Sequence, residues 1–453
     1  MEEGQSMSLA KRPDAYAYHL AQVNLKNVVL VSVDILNEDG VLLVKKGAAF
    51  DQKTAELIVK HKLLRPLEQS VKLEKMIDAE ALFKAFSLFF SRYPDCERVH
   101  KKQNLALLLR DLCTLYAEHE LLQQKLTVLS MQRVQDFDKG LFCAWLALAL
   151  AQKMGLSQQQ LSDIFLAGLI HDAGMLHISL DILDKKGQLT PDEWRTIQGH
   201  TLMGESFLKQ IPGLSPGVAL ATLEHHERRD GTGYPAGKFA EKLSNLSHIL
   251  AIADSLGAIR MLKLSGPDGN LANLLPIIQF NVRSYDPDCY KALFSLIRSA
   301  GLTPGWVFYD GDIDAQVRVL ILAHRQLSRC FEPFEGVLKL LPAQSPVHGI
   351  RSAIIQVQSC WFMVASSGLV AAGLLQWLEQ LLTGVAKEDY VAVEEINVLL
   401  KELHWQLLEV RKSLAMLKED ESMQATETQQ TLTRALALQK GLDEVFKEST
   451  ITV

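Results

Sequence analysis

The chain has 453 residues, a length that predicts roughly two to four domains rather than one hydrophobic core. Apolar residues make up 48% and charged residues 22%, which is typical of globular proteins. The net charge of −6 argues against a protein organised around nucleic-acid backbones, because these require a basic surface. A small anionic ligand is compatible with it, since a metal or a local positive charge can override the global sign. Scattered cysteines without a CxxC pair, and no secretory signal, predict reduced thiols in a cytoplasmic protein.

The N-terminal region has the pattern of a small α/β module, which we predict over residues 1–70. Two β-branched, apolar runs within residues 26–46 flank Asn37-Glu38-Asp39-Gly40 and predict a β-hairpin. A short amphipathic helix is predicted near residues 51–64.

Residues 71–128 have a helical pattern and are predicted to form a helical linker region. The sequence Tyr93-Pro94-Asp95 predicts a break between two helices. Aromatic side chains at helical spacing precede the break: Phe83, Phe86, Phe89 and Phe90. They favour a buried helix face over a ligand-binding surface.

From residue 139 to about 330 the pattern predicts consecutive helices without a convincing strand. Several of the 13 histidines lie close together here: His171, His177, His200, His225 and His226. A single buried histidine is usually a satisfied core residue. Several histidines with aspartates on neighbouring helices instead indicate a metal site with imidazole and carboxylate ligands.

The first candidate ligands, His171 and Asp172, follow an apolar helix. Both side chains can face one cation only if the backbone bends there, and Gly174 permits such a bend. His200 is predicted on a helix that starts at Thr190-Pro191-Asp192-Glu193, with Thr as N-cap and Pro in the first turn.

The remaining candidates lie further along the chain. His225 and His226 are predicted to end another helix. Asp254 lies in an apolar helix, where an unpaired carboxylate would be costly, so we expect a metal or a Lys/Arg side chain as its partner.

The order H-D … H … H-H-E-x-x-D-G-x-G-Y-P … D closely resembles the HD-GYP family. The resemblance rests on the following segments: 171–174, 181–190, His200 with Gly204, 225–235 and 252–254. We therefore predict an HD-GYP phosphohydrolase domain over residues 129–301, in a protein that is mainly α-helical.

The resemblance implies an all-helical domain around two or three metal ions, usually iron or manganese. It also implies hydrolysis of the bacterial second messenger cyclic di-GMP to linear pGpG and GMP. In this family pattern Asp172 is the catalytic residue that bridges two metals. The other ligands are His200, His225 and His226 for one metal, and His171 and Asp254 for the other. The GYP loop, with Gly233, Tyr234 and Pro235, is implied to contact the substrate.

Three positions depart from the family pattern. Lys139 occupies the place of the first ligand histidine, and an ammonium group cannot ligate a metal. It either replaces the charge of the missing metal, contacting Asp172, Asp254 or the phosphate, or points to solvent. Met175 occupies the place of a lysine that reaches the phosphate. A basic segment after the last ligand is absent, and Lys263 is the nearest cation at that spacing.

Two hypotheses follow for the function. The first is an active or weakened cyclic di-GMP phosphodiesterase with one tightly held divalent metal, Fe or Mn, in which Lys139 takes part in catalysis. The second is a degenerate domain that binds a nucleotide or a protein partner in bacterial signalling without turnover. A hydrolase of another nucleotide is disfavoured by the complete GYP loop.

The C-terminal third is predicted to form an extension over residues 302–385 and a helical tail over 386–453. The apolar stretch 360–378 is interpreted as a buried core segment, because it lacks the Lys/Arg flanks of a membrane span. Residues from Val393 to Leu417 have heptad spacing. This pattern predicts either a coiled coil that forms a homodimer or a helix that packs inside its own domain.

Overall fold

A computed structural model describes residues 15–187, 189–262, 270–281, 284–304, 313–338, 348–384 and 389–418 of the protein. In these residues the fold is mainly α-helical, as predicted. Short strands lie near the N-terminus: β1 Val29–Val31, β2 Ile35–Leu36, β3 Leu42–Val44 and β4 Val71–Leu73.

The α-helices are numbered in chain order. The first seven are α1 Tyr16–Asn24, α2 Gln52–Ile58, α3 Ala79–Arg92, α4 Pro94–Lys102, α5 Ala106–Tyr116, α6 Glu120–Gln132 and α7 Val134–Lys153. They are followed by α8 Gln158–Ile170, α9 Leu180–Leu183, α10 Pro191–Gln198, α11 His200–Leu208, α12 Pro216–Glu224 and α13 Asn245–Leu262. The last are α14 Leu275–Phe280, α15 Pro287–Ser299, α16 Ile313–Leu338, α17 His348–Ser367, α18 Ala372–Leu381 and α19 Asp389–Lys418.

The chain forms two compact units, which do not follow the predicted boundaries at residues 70, 128, 301 and 385. The first unit contains the residues up to Arg92, Leu105–Leu148 and Ser157–His225. The second contains Tyr93–Asn104, Ala149–Leu156 and the residues from His226 onward. The boundary between the units therefore falls inside the predicted 129–301 domain, and the five-part division stays a prediction.

The predicted N-terminal hairpin is present but shorter than expected. β2 pairs with β3 across a turn in which the Asn37 side chain accepts the N–H of Val41 at 2.8 Å. Gly40 occupies this turn with a φ of 79°, a conformation that favours glycine. β1 pairs antiparallel with the distant β4 instead of with β3, so the first apolar run is divided between two sheets.

The predicted helix break is confirmed, because α3 ends at Arg92 and α4 begins at Pro94. The aromatic side chains of α3 belong to the core of the first unit. Phe89 packs on Trp145 with ring centroids 6.2 Å apart, and Phe86 packs on Phe165 at 5.8 Å. These contacts confirm the buried helix face.

The heptad positions of α19 are buried inside the second unit. Val393, Leu403 and Val410 belong to one hydrophobic core together with side chains of α16, α17 and α18. The second predicted arrangement, packing within its own domain, is therefore the one observed. Over these residues the stripe offers no surface to a second copy, because it is already covered. The side chains of Leu414 and Leu417 lie outside the described residues.

The apolar stretch after residue 360 packs in the same core. Cys360 and Leu378 are both fully buried there, which confirms the interpretation as a core segment. Among the described residues no single helix has the length and apolarity to cross a membrane. One bent pair, Ile354–Ser367 and Ala372–Leu381 with 55° between them, meets these criteria jointly by length and composition.

The cysteines of the described residues agree with the prediction of reduced, buried thiols. The free and buried ones are Cys96, Cys113, Cys143, Cys289 and Cys360. Burial raises the pKa of Cys113 and of Cys360 to about 12, so these two thiols are poor nucleophiles at neutral pH.

Candidate metal centre

Three histidines of the first unit have the same side-chain arrangement at helix ends. His171 and His225 cap the C-termini of α8 and α12, whereas His200 begins α11 instead of lying on the helix that Thr190 starts. Each ring donates its Nδ1–H to the carbonyl three residues earlier. The distances are 2.8 Å to Gly168, 2.7 Å to Ile197 and 2.6 Å to Thr222. Because a carbonyl can only accept, a neutral ring in this position has its lone pair on Nε2.

The lone pairs of two of these rings converge on Asp172. Nε2 of His200 lies 3.3 Å from Nε2 of His225, and Oδ1 of Asp172 lies 3.4 and 3.8 Å from these two nitrogens. Burial lowers the pKa of His200 below its ordinary value, which favours the neutral ring. Within the described residues, the buried Oδ1 of Asp172 accepts no hydrogen bond.

With both rings neutral, Nε2 of His200, Nε2 of His225 and Oδ1 of Asp172 are three acceptors that face one another and repel each other. A cation between them removes this repulsion, and imidazole with carboxylate is a donor set that suits Fe, Mn or Zn. The hydrogen bonds at Nδ1 are also those that hold metal-binding histidines in known sites, because they fix the tautomer and the ring orientation. Asp172, His200 and His225 therefore fit a divalent metal.

The other oxygen of Asp172 faces a cation of the protein itself. Nζ of Lys139 lies 2.6 Å from Oδ2, and Nε2 of His171 lies 3.2 Å from the same atom. The Lys139 side chain is only 20% exposed, so it contacts Asp172 and does not point to solvent. Burial raises the pKa of Asp172, but His171 and Lys139 more than offset this effect, and the pKa lies well below its ordinary value.

Two glycines allow α7 and α8 to approach closely enough for this ion pair. A Cβ on Gly140 would lie 2.7 Å from the carbonyl oxygen of Leu169, and a Cβ on Gly168 would lie 2.6 Å from Cα of Ala144. Lys139 is the neighbour of Gly140 on α7. The close helix contact therefore brings its side chain to the end of α8, where Asp172 follows.

The chain leaves α8 at His171 and Asp172, as predicted, and Gly174 allows a close approach of the next segment to α11. It lies in the 3₁₀ helix Ala173–His177, and its φ is not positive. A Cβ at this position would lie only 1.9 Å from the carbonyl oxygen of His200. The segment after Asp172 therefore packs directly on the first turn of α11, which sets the distance between Asp172 and His200.

In the second unit, two further predicted ligands lie side by side. Nδ1 of His226 is 3.5 Å from Oδ2 of Asp254, a carboxylate buried in α13. The ring of Tyr234 stacks on the His226 ring with centroids 4.6 Å apart. Gly233 allows this turn, because a Cβ there would lie 2.3 Å from the His226 carbonyl oxygen. The GYP loop thus places its tyrosine on a predicted metal ligand.

The structure describes some of the residues that were predicted to contact the substrate. Gly233, Tyr234 and the half-buried Pro235 belong to this described loop. Lys263 lies outside the described residues. Met175 is half-buried in the 3₁₀ helix that follows Asp172.

Two residues of these sites were not predicted as functional. Glu227 is buried, and its two carboxylate oxygens accept the N–H groups of Ala236 at 2.7 Å and Lys238 at 2.8 Å. The sequence could not reveal this contact, because both partners are backbone groups of a later loop. Cys143 lies one helical turn after Lys139, and its Sγ is within 4.8 Å of a His171 ring nitrogen. The i, i+4 spacing of Lys139 and Cys143 could have indicated that these two side chains lie on the same face of α7.

Replacing Glu227 with Gln is expected to loosen the GYP loop. An amide offers one acceptor oxygen, and its NH₂ group opposes the second backbone N–H, so one charge-assisted hydrogen bond is lost. We expect the amide hydrogens of residues 236 and 238 to exchange about 10-fold faster, measured by hydrogen–deuterium exchange. Glu241→Gln, at an exposed position nearby, is the control. Equal exchange in Glu227→Gln and wild type would contradict the assigned contact.

The central part of the chain is similar to known proteins. Residues 116–289 match the family model described as HD domain. Over 150 residues the chain is 35% identical to the 3′3′-cGAMP-specific phosphodiesterase 3 of Vibrio cholerae, covering 32% of this chain and 31% of that protein. Over 183 residues it is 31% identical to a cyclic di-GMP phosphodiesterase of Pseudomonas aeruginosa, covering 39% and 43%.

A third relative is a cyclic di-GMP phosphodiesterase response regulator of Xanthomonas campestris pv. campestris. It is 30% identical over 201 residues, which cover 43% of this chain and 53% of the relative. The chain thus spans about half or less of the length of these curated relatives.

Proposed function

We propose that the protein is a metal-dependent phosphodiesterase for cyclic dinucleotides, because residues 116–289 match the family model described as HD domain. Cyclic di-GMP is the preferred substrate in this proposal, since two of the relatives named above are called cyclic di-GMP phosphodiesterases. The name of the Vibrio cholerae relative makes 3′3′-cGAMP the alternative. We place the activity in the bacterial cytoplasm, where such messengers act.

One observation carries the proposal. Oδ1 of Asp172 and the Nε2 atoms of His200 and His225 converge as acceptors, and the ring protons are already engaged by backbone carbonyls. We propose that these three side chains hold one iron or manganese ion.

The residues of the first unit have distinct roles in this proposal. A bound divalent cation supplies Lewis-acid chemistry, since it activates water as a nucleophile and neutralises phosphate charge. Asp172, His200 and His225 hold and orient it. Lys139 keeps Asp172 ionised and contributes one positive charge beside the reacting phosphate. In the net reaction one water is consumed, an O–P bond forms, the P–O3′ bond breaks, and the 3′ oxygen leaves as a hydroxyl on linear pGpG.

Lys139 also limits the number of metals. Its ammonium occupies the side of Asp172 that would otherwise face a second cation, with only 2.6 Å between Nζ and Oδ2. Asp172 would therefore help to hold one metal while it pairs with Lys139, and would not be shared by two metals. We propose one tightly bound metal per chain.

A second candidate function is favoured by the same departures. Lys139 and Met175 remove one metal ligand and one phosphate-binding lysine from the family pattern. A chain with these changes could bind a cyclic dinucleotide, or a signalling protein, without hydrolysing it.

Turnover by the full chain decides between the two candidates. The purified protein is loaded with Mn²⁺ or Fe²⁺ under anaerobic, reducing conditions and incubated with cyclic di-GMP or 3′3′-cGAMP, and products are quantified by chromatography. We expect linear pGpG from cyclic di-GMP. Binding of either nucleotide without product would support the second candidate, and neither binding nor product would reject both.

Replacing Lys139 with His is expected to add a metal. The new imidazole restores the ligand that the family has at this position, so the metal content should rise from about one to about two equivalents per chain. It is measured by elemental analysis after dialysis. Lys139→Met is the matched control, because it removes the charge without adding a donor, and it should stay near one equivalent. Two tightly bound ions in the wild-type protein would contradict the role given to Lys139.

A further inference from the structure

A buried lysine lies at the centre of a charged cluster in the first unit, apart from the metal centre. The Lys125 side chain on α6 is 0% exposed. Its Nζ donates to Oε1 of Glu68 at 2.7 Å and lies 2.9 Å from Nε2 of His177. The ammonium also lies over the Tyr16 ring, 3.5 Å from the centroid, and over the Phe207 ring at 4.6 Å. Carboxylate, imidazole and two aromatic faces thus surround one cation.

A buried ion pair of this kind is not explained by a contribution to stability alone. Removing an ammonium and a carboxylate from water is expensive, and apolar side chains of similar volume often serve stability as well or better. Burial raises the pKa of Glu68, but Lys125 and His177 outweigh it, and the net pKa is lowered. Glu68 is therefore ionised, and the cluster holds a true ion pair. Such groups give one defined geometry, which suggests a role in positioning.

The partners of Lys125 come from the elements that position the metal ligands. His177 ends the 3₁₀ helix Ala173–His177, which directly follows Asp172. Phe207 lies on α11, the helix that begins with His200. The contact of Gly174 with the His200 carbonyl joins these two elements.

The other side of the cluster belongs to the N-terminal region. Tyr16 is on α1, and its ring stacks on that of His177 with centroids 5.4 Å apart. Glu68 is in the 3₁₀ helix Leu67–Gln69, and the N–H of Ala15 donates to the carbonyl of His177 at 3.4 Å. The predicted N-terminal module thus contributes directly to the support of the Asp172 segment.

We propose that Lys125, Glu68 and His177 are positioning residues for the metal centre, through which the N-terminal region holds the Asp172 segment against α11. The proposal rests on the proposed function, because it requires that Asp172 and His200 bind a metal. In this proposal the N-terminal region is a structural part of the metal-binding unit and not a separate domain.

The test is the Mn²⁺ affinity of the full chain, measured by equilibrium dialysis together with metal-free thermal unfolding. Lys125→Met, which keeps the length and removes the charge, is expected to weaken Mn²⁺ binding roughly 10- to 100-fold, the usual effect of losing a supporting group behind a metal ligand. Leu82→Ala, which removes buried side-chain volume on α3, is the control for a general loss of stability and should leave the affinity unchanged.

A pair of substitutions at His177 makes the test independent of whether Lys125→Met folds. His177→Gln keeps an acceptor for the Lys125 ammonium and should retain affinity within about 3-fold, whereas His177→Leu removes the acceptor and should lose roughly 10-fold or more. Wild-type affinity in His177→Leu would overturn the positioning role. Absence of Mn²⁺ binding in the wild-type protein would instead reject the proposed metal centre.

Discussion

Replacing Asp172 with Asn is expected to abolish tight metal binding and with it hydrolysis. The amide has nearly the same shape, but it lacks the charge that both the metal and Lys139 require. We expect Mn²⁺ affinity and turnover to fall roughly 100-fold or more, beyond the usual effect of losing a supporting group behind a ligand. The measurements are equilibrium dialysis with Mn²⁺ and the cyclic di-GMP assay.

The same substitution should also destabilise the metal-free protein, because the Lys139 ammonium loses its partner. Since that side chain is partly exposed, we expect a loss of about 1–3 kcal/mol, below the largest values for buried pairs. Adding Lys139→Met to Asp172→Asn removes the unpaired charge. The double variant should regain most of the stability and still bind no metal, which separates the structural role of the ion pair from the role of Asp172 as ligand.

Asp163→Asn is the matched control. Asp163 is a buried aspartate of α8 that accepts hydrogen bonds from Ser215 at 2.7 Å and Gln159 at 2.8 Å. It has no assigned role in metal binding, so its replacement should lower stability and leave the Mn²⁺ affinity unchanged. Metal binding by Asp172→Asn at wild-type strength would show that the centre is not built on Asp172.

The cluster of histidines and aspartates, together with the resemblance to the HD-GYP family, named His171, Asp172, His200 and His225 as candidate ligands, and their roles stay a prediction. The structure brings Oδ1 of Asp172 close to the rings of His200 and His225. The ring orientations depend on carbonyl groups and became visible only with the backbone. The pairing of Lys139 with Asp172 depends on how closely α7 approaches α8, and sequence spacing does not report this distance.

Long-range packing accounts for the remaining differences. The apolar run that contains β1 has the pattern of one strand of a local hairpin. Its strand partner is instead β4, which comes after α2 in the chain. Heptad spacing in α19 is equally suited to a partner helix of another chain or of its own, and only the presence of α16–α18 decides the outcome. The sequence did not indicate that Lys125 is buried, since a single lysine in a helix is normally exposed.

Gly174→Ala is expected to have the second largest effect, although it adds a single methyl group. The Cβ would lie 1.9 Å from the His200 carbonyl oxygen and 3.0 Å from the backbone nitrogen of Gly204. Neither backbone atom can move aside without displacing α11. We expect a loss of stability of about 3 kcal/mol, at the upper end for overpacking, and a marked loss of Mn²⁺ affinity, because the shift changes the distance between Asp172 and His200.

Gly373→Ala makes the same chemical change where space is available. Gly373 lies in the first turn of α18 and a Cβ there meets nothing within 4 Å, so this variant should be as stable as wild type or slightly more so. Thermal unfolding and Mn²⁺ dialysis on both variants complete the comparison. If Gly174→Ala retained both wild-type stability and wild-type affinity, the close packing of the Asp172 segment on α11 would not determine the geometry of the metal centre. We expect Gly174→Ala to lose both stability and Mn²⁺ affinity and Gly373→Ala to lose neither. This result would show that Gly174 sets the distance between Asp172 and His200, two proposed ligands that are 28 positions apart in the sequence.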